Sequence, residues 1–492
     1  MSESHELSEH SGFFSKTQLS AVILAISVFF TVLFRNLTGF PYLSLFLAFI
    51  TLSSLVYLYK PSKSHFTTLI YISILILSNF LILRVNPLLT LLTLAAIMYL
   101  GSILIIINKE EKIGIYGLIF SPIFLAIELI GTKNQFTLDI KNLLNFPKKL
   151  NSDKIIKYFT SIIITILVLL IVLPLLSYIN PIFKNYFAKL FEIITNINIT
   201  KWIDEILILT ITLYFIPKIL TVAHYEKFSL SMKLRMSEIS SALFLPKAAV
   251  AIVLVLFFFT QFELYTASKE LLNNLGYSNS SYTREVFAQL GIVALVIYTL
   301  LYNNSKHKKI NSAVTWILIL EGIFLNLMAY KSVWDYTTNW GFTYKRLYGF
   351  AGVFWILSAF LLFAYNYYNH NYRKNQLVKG LVILSAVTII LINLANFDKM
   401  IYHRNQARTQ LGTDYGYLSE LSADSDSFEE QLKVSRTDPE AIKNTGALDG
   451  IKSKRRSIVN KYQNKFDIKN FNFSDYRAFS EINKSSNNDY PR

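Results

Sequence analysis

The residue best placed to do chemistry is Glu321, in Ile319-Leu320-Glu321-Gly322 near the middle of a long apolar run. A carboxylate at mid-bilayer costs at least about 2.5 kcal/mol. Such a residue is a proton or ion relay, a polar site between helices, or a structural partner of a buried Ser, Thr or Tyr. Gln261 and Glu263 close an earlier run, Glu128 ends another, and Lys218 follows Pro217. Charges at these run ends reach the interface by extending their side chains. The arginines Arg284, Arg346 and Arg408 offer a second chemistry. Gathered on one side of a membrane, they would hold the phosphate of a lipid-linked substrate. The densest polar cluster is Trp334-Asp335-Tyr336-Thr337-Thr338-Asn339-Trp340-Gly341-Phe342-Thr343-Tyr344-Lys345-Arg346. Tyr336, Gly341, Thr343 and Arg346 are its candidate functional members. It also reads as an interfacial aromatic belt with a Gly turn and Thr343 as an N-cap. A further cluster, Asn396, Asp398, Arg404, Asn405 and Arg408, follows the last apolar run. Asn405 and Arg408 share a helix face with Ile401, at steps of four and three. That face would dock the tail onto the loops or bind a headgroup phosphate.

No catalytic signature accompanies these residues. There is no Gly-rich phosphate loop, no His-Glu-x-x-His and no nucleophile elbow, so no catalytic residue and no cofactor is assigned. The seven His are scattered and the chain has no Cys, so no metal site is expected and thiolate chemistry is excluded. The net charge of +16 is not a nucleic-acid signature. Residues 398–492 hold 16 Lys and Arg against 14 Asp and Glu. The excess therefore lies in the loops of the apolar part, where it sets topology and meets anionic headgroups.

The elements that must position these residues are membrane helices. The 492-residue chain is 53% hydrophobic and only 16% charged, against about 25% charged in soluble domains. About twelve runs suit a hydrocarbon core: Leu19–Phe34, Phe40–Tyr59, Thr67–Leu83, Leu88–Ile107, Ile113–Ile130, Ile156–Ile179, Ile206–Val222, Ala242–Leu264, Val286–Tyr302, Val314–Tyr330, Leu347–Tyr367 and Leu377–Phe397. Thr132–Lys154 and Asn180–Asp204 read as amphipathic surface stretches. The expectation is an all-α polytopic bundle of about 12 transmembrane helices with a small, mainly helical C-terminal soluble domain. Residues 1–18 form a polar N-terminal tail and 19–397 the membrane domain, subdivided at 131 and 240. Residues 398–492 are the soluble part. Within it the last helix continues through Lys399–Leu411, short helices cover Asp414–Ser422 and Ser427–Val434, and another starts at Asp438-Pro439-Glu440. Ile451–Phe466 carries an apolar face, and Ser480–Arg492 is frayed. Counted over alternate connections, Lys and Arg number nineteen on one side and twelve on the other. The richer side is cytoplasmic by the positive-inside rule, which puts both termini, and the tail, outside.

The two polar clusters also carry a resemblance. Gly341-Phe342-Thr343-Tyr344-Lys345-Arg346-Leu347 resembles the Gly-Leu-Thr-x-x-Arg-Leu element of a bacterial family of multi-pass membrane proteins, the domain of unknown function 4153/4173 type. Asn396-Phe397-Asp398, Asn405-Gln406-Ala407-Arg408 and Asp414-Tyr415-Gly416-Tyr417-Leu418 resemble its Asn-x-Asp, Asn-x-x-Arg and Asp-x-x-Tyr-Leu steps. Upstream, Tyr282-Thr283-Arg284-Glu285-Val286-Phe287 resembles its Tyr-x-Arg-x-x-Phe step. The likeness covers roughly Lys247 to Leu421. Ser332 stands where the family pattern has Arg, and Phe342 keeps its position apolar. The resemblance implies a multi-pass protein of the bacterial inner membrane with a C-terminal soluble tail, and no particular activity.

The expected function is a non-enzymatic scaffold or accessory subunit of the bacterial envelope, with residues 398–492 meeting a protein partner. The alternatives are a transporter or channel built around Glu321, and an enzyme or binder of a lipid-linked phosphate.

Overall fold

The computed structural model describes residues 16–60, 63–107, 118–131, 200–224, 247–258, 291–302, 309–369, 374–406, 414–425 and 445–488, apart from isolated positions inside these ranges. Among the described residues every regular element is helical. The membrane part begins with α1 (Lys16–Phe34), α2 (Tyr42–Tyr59), α3 (His65–Leu83) and α4 (Pro87–Ile106). It continues with α5 (Ser121–Gly131), α6 (Thr200–His224), α7 (Lys309–Trp340), α8 (Tyr344–Tyr368) and α9 (Lys374–Ala395). Beyond it lie α10 (Phe397–Gln406), α11 (Tyr415–Glu420), α12 (Thr445–Val459) and α13 (Phe473–Asn488).

Local chemistry sets the breaks. Ser64 and Thr67 form a reciprocal capping box that starts α3. Asn86 accepts from the Leu89 N–H at 3.1 Å and Pro87 occupies the first turn, so three residues suffice to separate α3 from α4. Asn36, at φ 49°, turns the chain between α1 and α2, in a left-handed conformation that Asn tolerates better than most residues.

Seven helices among the described residues are long and apolar enough to cross a membrane, and α1 is a slightly shorter apolar helix. The chain is a multi-pass helical membrane protein. One core joins α1 to α4 with α6 and α9 through Ile23, Ile70, Ile74, Leu77, Leu220 and Val382. A second joins α7 and α8 to the helical residues 247–258 and 291–302 through Leu318, Phe360, Phe363 and Ile297. Gly322 lets these helices close: a Cβ there would lie 2.5 Å from the Phe360 ring. Leu91, Met98, Phe324 and Leu327 are exposed, as lipid-facing residues are.

Three sequence expectations change. First, the helix described within the run Ile113–Ile130 is α5, whose 11 residues span about 17 Å, residues 113–117 and 119 lying outside the described ones. Its start bonds Ser102 through Ser121 at 2.8 Å, and its Leu129 carbonyl accepts from Lys218 at 2.8 Å. Both partners lie in the later half of their own helices, so α5 stays near one end of the bundle. Second, α10 does not continue α9: Asn396, at φ 49°, breaks the helix between them. Third, Ser480–Asn488 is the second half of α13 rather than a frayed end. The run Ile156–Ile179, all of Thr132–Lys154, most of Asn180–Asp204, Ser427–Val434 and Asp438-Pro439-Glu440 lie outside the described residues.

The connection after α1, the connection after α3, the turn after α7 and the C-terminal helices all meet at one end of the bundle. Asn470 donates to Thr38 at 3.1 Å, Asn472 to the Arg84 carbonyl at 2.8 Å, and Asn405 to the Phe342 carbonyl at 2.9 Å. At the opposite end, buried Lys60 donates to the Ile107 carbonyl, and Lys379 lies over the Phe66 ring. With these ends fixed, α1 and α9 both finish on the C-terminal side. α1 therefore starts at the opposite end of the bundle.

Candidate functional site

The polar clusters converge on the end where α9 gives way to α10. Asp398, in the first turn of α10, is buried and accepts four hydrogen bonds. Tyr344 Oη donates at 2.5 Å, the Ser422 N–H and Oγ at 2.8 Å each, and Asn86 Nδ2 at 3.0 Å. One carboxylate thus ties α4, α8, α10 and the segment after α11 together. Asp424 repeats the device. Its oxygens accept from the Val85 N–H at 3.1 Å and the Asn86 N–H at 3.0 Å, so it caps the connection before α4. Burial pushes the Asp424 carboxyl up to about 6, and the charge of Asp398 adds to the rise. Asn396 donates to the Asp424 carbonyl at 2.8 Å, so the residue that breaks the helix also fastens the chain that returns to it.

The turn after α7 is held from the same side. Gly341 sits at φ 79°, a conformation that L side chains rarely adopt. Asn405 meets Phe342 with both ends of its amide, accepting its N–H at 2.8 Å and donating to its carbonyl at 2.9 Å. Tyr417 Oη accepts from the Tyr344 N–H at 3.0 Å, and Asp414 caps α11 by accepting from the Tyr417 N–H at 3.0 Å. Burial raises the Tyr417 hydroxyl above the usual phenol range. Arg346 donates to the carbonyls of Trp340 and Gly341, and its guanidinium lies 4.2 Å from the centre of the Tyr336 ring. Thr343 occupies the N-cap position of α8 without a side-chain cap bond.

A latch from the last helices completes the junction. Asn472 donates to the carbonyls of Leu81 and Arg84, and Ser474 to that of Leu83, so carbonyls at the end of α3 are satisfied from the start of α13 and the residue before it. Arg84 donates in turn to the Asn393 carbonyl at 3.0 Å. Lys461, in the turn Asn460–Asn464 after α12, and Asp475 of α13 form a partly buried ion pair. Ile451, Ile458, Tyr462, Ala478 and Ile482 form the small core beneath, and Val85 packs against it.

Asn396, Asp398 and Asn405 thus share one junction with Gly341, Thr343 and Arg346, with Tyr336 stacked at its edge. Glu321 is elsewhere. It is 6% exposed on the face of α7 that turns inward, and neither carboxyl oxygen has a hydrogen-bond partner among the described residues. Lys218 is buried and donates to Leu129 and Tyr214 instead of reaching outward. Glu263, Arg284 and Arg408 lie outside the described residues, and Glu128 lies in α5. Of the three arginines considered for phosphate, Arg346 is engaged with backbone carbonyls. Among the described residues no group of His, Cys, Asp and Glu could hold a metal ion. Asn86, Asp424 and Asn472 carry much of the junction without having stood out in the sequence. Asn86 alone had a signal, its place before Pro87.

The geometry defines a class: multi-pass helical membrane proteins that bind their own C-terminal helices through a buried polar junction at one bundle end. A family model described as Domain of unknown function (DUF4153) matches residues 71–427, which include Asn86, Asp398, Asn405, Tyr417 and Asp424. The match covers well over half of the chain, and the chain belongs to this family. No curated protein and no solved structure matches it.

Proposed function

We propose that the chain is a non-enzymatic scaffold of the bacterial cytoplasmic membrane that holds a C-terminal helical unit at the membrane surface for an envelope partner. The supporting observation is Asp398. A carboxylate that accepts four hydrogen bonds while buried is committed to structure, and its neighbours Asn405 and Arg346 are bonded to backbone in the same way. A photo-crosslinker at exposed Ser453 on α12 tests this in cells. A discrete protein adduct that disappears in Asp398→Ala is expected. No adduct from Ser453, nor from exposed Lys452 or Arg477, would end the scaffold reading.

Orientation follows from charge once α5 is not counted as a crossing. With Ile156–Ile179 and the two runs Ala242–Leu264 and Val286–Tyr302 crossing, the count becomes eleven. The basic groups Lys133–Lys157, Lys218–Lys247, Lys306–Lys309 and Arg373–Lys379 then share the side of Lys60 and Lys109. Lys and Arg number 22 on that side and 10 on the side of the C-terminal helices. The positive-inside rule then assigns the C-terminal unit to the outside, with the N-terminus in the cytoplasm. The chain has no Cys, so single cysteines report cleanly. Ser453→Cys should react with an impermeant maleimide in intact cells, and Lys63→Cys, at the opposite end, only after lysis. Equal access to both would refute the odd count, and the reverse pattern would refute the orientation.

A second reading rests on Glu321, a buried carboxyl with no described hydrogen-bond partner in a membrane helix. It makes α7 part of an ion or proton path. Glu321→Gln, reconstituted in vesicles with a pH-sensitive dye, distinguishes the two. Loss of a wild-type proton flux favours transport, and the absence of flux in both leaves Glu321 a packing residue.

A further inference from the structure

A groove of about 540 Å³ lies between α7, α8 and α9, and α10 closes one end of it. Trp334, Phe350, Phe354, Leu391, Ile392 and Met400 make its walls. Thr337 and Thr338 also line it, but their hydroxyls donate to the carbonyls of Val333 and Trp334 on their own helix. They therefore bring little unused hydrogen-bonding capacity to a ligand. Among the described residues of the lining, Arg404 is the only charged one. It is exposed, and no described residue pairs with it.

The groove has the dimensions and polarity of one leaflet. Phe354 lies ten residues into α8, about 15 Å from its start, and half of a hydrocarbon core is about 15 Å deep. Trp334 and Phe354 are each nearly half exposed, so the groove opens sideways where a membrane helix meets lipid. Trp334 sits near the end of its span, at the level where Trp is enriched. Arg404 is on α10, beyond the end of α9, where headgroups begin. The volume falls within the range of about 300–1,000 Å³ typical of ligand pockets.

We propose that this groove is a binding site for one anionic phospholipid from the leaflet on the C-terminal side. An acyl chain lies along Phe350, Phe354 and Leu391, and the phosphate meets the Arg404 guanidinium. Charge complementarity selects this occupant. The apolar walls accept any acyl chain, whereas a cation with no described partner at the headgroup level favours a lipid with net negative charge. The lipid would bridge α7 and α8 to α10, the element from which Asp398 reaches the junction. The inference goes beyond the scaffold reading and does not depend on it.

Full-length protein in nanodiscs of phosphatidylcholine with a minority of phosphatidylglycerol supplies the test, read by native mass spectrometry of the lipid retained after release. Wild type should retain phosphatidylglycerol in preference to phosphatidylcholine. Arg404→Gln should lower that preference about fivefold, the equivalent of about 1 kcal/mol for one basic residue at the surface. Ala351→Trp, which fills the groove, should abolish retention of both. Should Ala351→Trp fail to fold, the groove is read in otherwise native protein by brominated-chain lipids. Brominated phosphatidylglycerol should quench tryptophan fluorescence more than the brominated phosphatidylcholine does, and Trp334→Phe should remove the difference. Equal retention of the two lipids, an unchanged preference in Arg404→Gln, or full displacement by soluble glycerol phosphate would each overturn the proposal.

Discussion

At the scale of residues, the junction depends on a few polar side chains that each bind two or more elements. Asp398→Ala would leave buried Asn86 and half-buried Tyr344 and Ser422 as unpaired donors. Leaving buried polar groups unpaired costs about 1–3 kcal/mol each in the worst case. A net loss of about 2–4 kcal/mol after relaxation is expected, seen as a lower thermal midpoint in detergent and faster proteolysis of the C-terminal helices. Asn405→Ala removes the paired bonds to Phe342 and should cost about 1–2 kcal/mol by the same measurements. Asp424 makes docking pH-dependent. Its carboxyl titrates near 6 when docked and near 4 when free. Between these values docking takes up a proton, so docking weakens as pH rises through about 6 and is firmer on the acid side. Amides of 445–464 should therefore exchange more slowly at about pH 5 than about pH 7.5 after correction for intrinsic rates, and Asp424→Asn should flatten the difference. Asp398 and Asn405 were legible in the sequence, because polar residues crowded after an apolar run stand out and match a family pattern. Asp424 and Asn472 were not. Each is an ordinary polar residue in a polar segment, and their partners Asn86 and Arg84 lie 338 and 388 residues away.

At the scale of elements, hydropathy placed α2, α3, α4, α8 and α9 within a few residues, because long apolar runs bounded by caps leave little freedom. For the run Ile113–Ile130, composition gives no sign that the described helix within it, α5, has only 11 residues. Hydropathy missed the break at Asn396, since Asn signals a left-handed residue less clearly than Gly. Gly341 did carry such a signal, and Gly341→Val should destabilise the α7–α8 turn by about 1–2 kcal/mol. Gly322 tests the contact of α7 with α8. A Cβ there meets the Phe360 ring at 2.5 Å, so Gly322→Leu should overpack the helices at a cost of about 1–3 kcal/mol. Gly322→Leu combined with Phe360→Ala should recover part of the loss, as measured by fluorescence-detected size exclusion after heating.

At the scale of the whole molecule, the class was legible and the topology was not. Apolar content and confined charge define a polytopic membrane protein whatever its helix count. Sidedness is different, because it is a parity: one run wrongly counted as a crossing reassigns every later loop. Contacts such as Lys469 with the Arg35 carbonyl and Asn470 with Thr38 fasten the C-terminal helices to the first connection. Reading the chain linearly could not reveal them.

The distance along the chain between Asn86 and Asp398, 312 residues, bears on how the protein is made. The ribosome delivers α3 and α4 early, and their connection must wait with its polar groups unmet until the final segment emerges. Membrane helices can insert one by one, but this end of the bundle closes only after residues 397–488 have been made. The late segment therefore reports that synthesis has passed the membrane helices. A product ending after Ala395 should insert normally yet expose Arg84, Asn86 and the Gly341 turn together, which marks it for removal. Pulse-chase of such a truncation should show normal insertion followed by rapid proteolysis, and the full chain carrying Asp398→Ala should turn over at an intermediate rate.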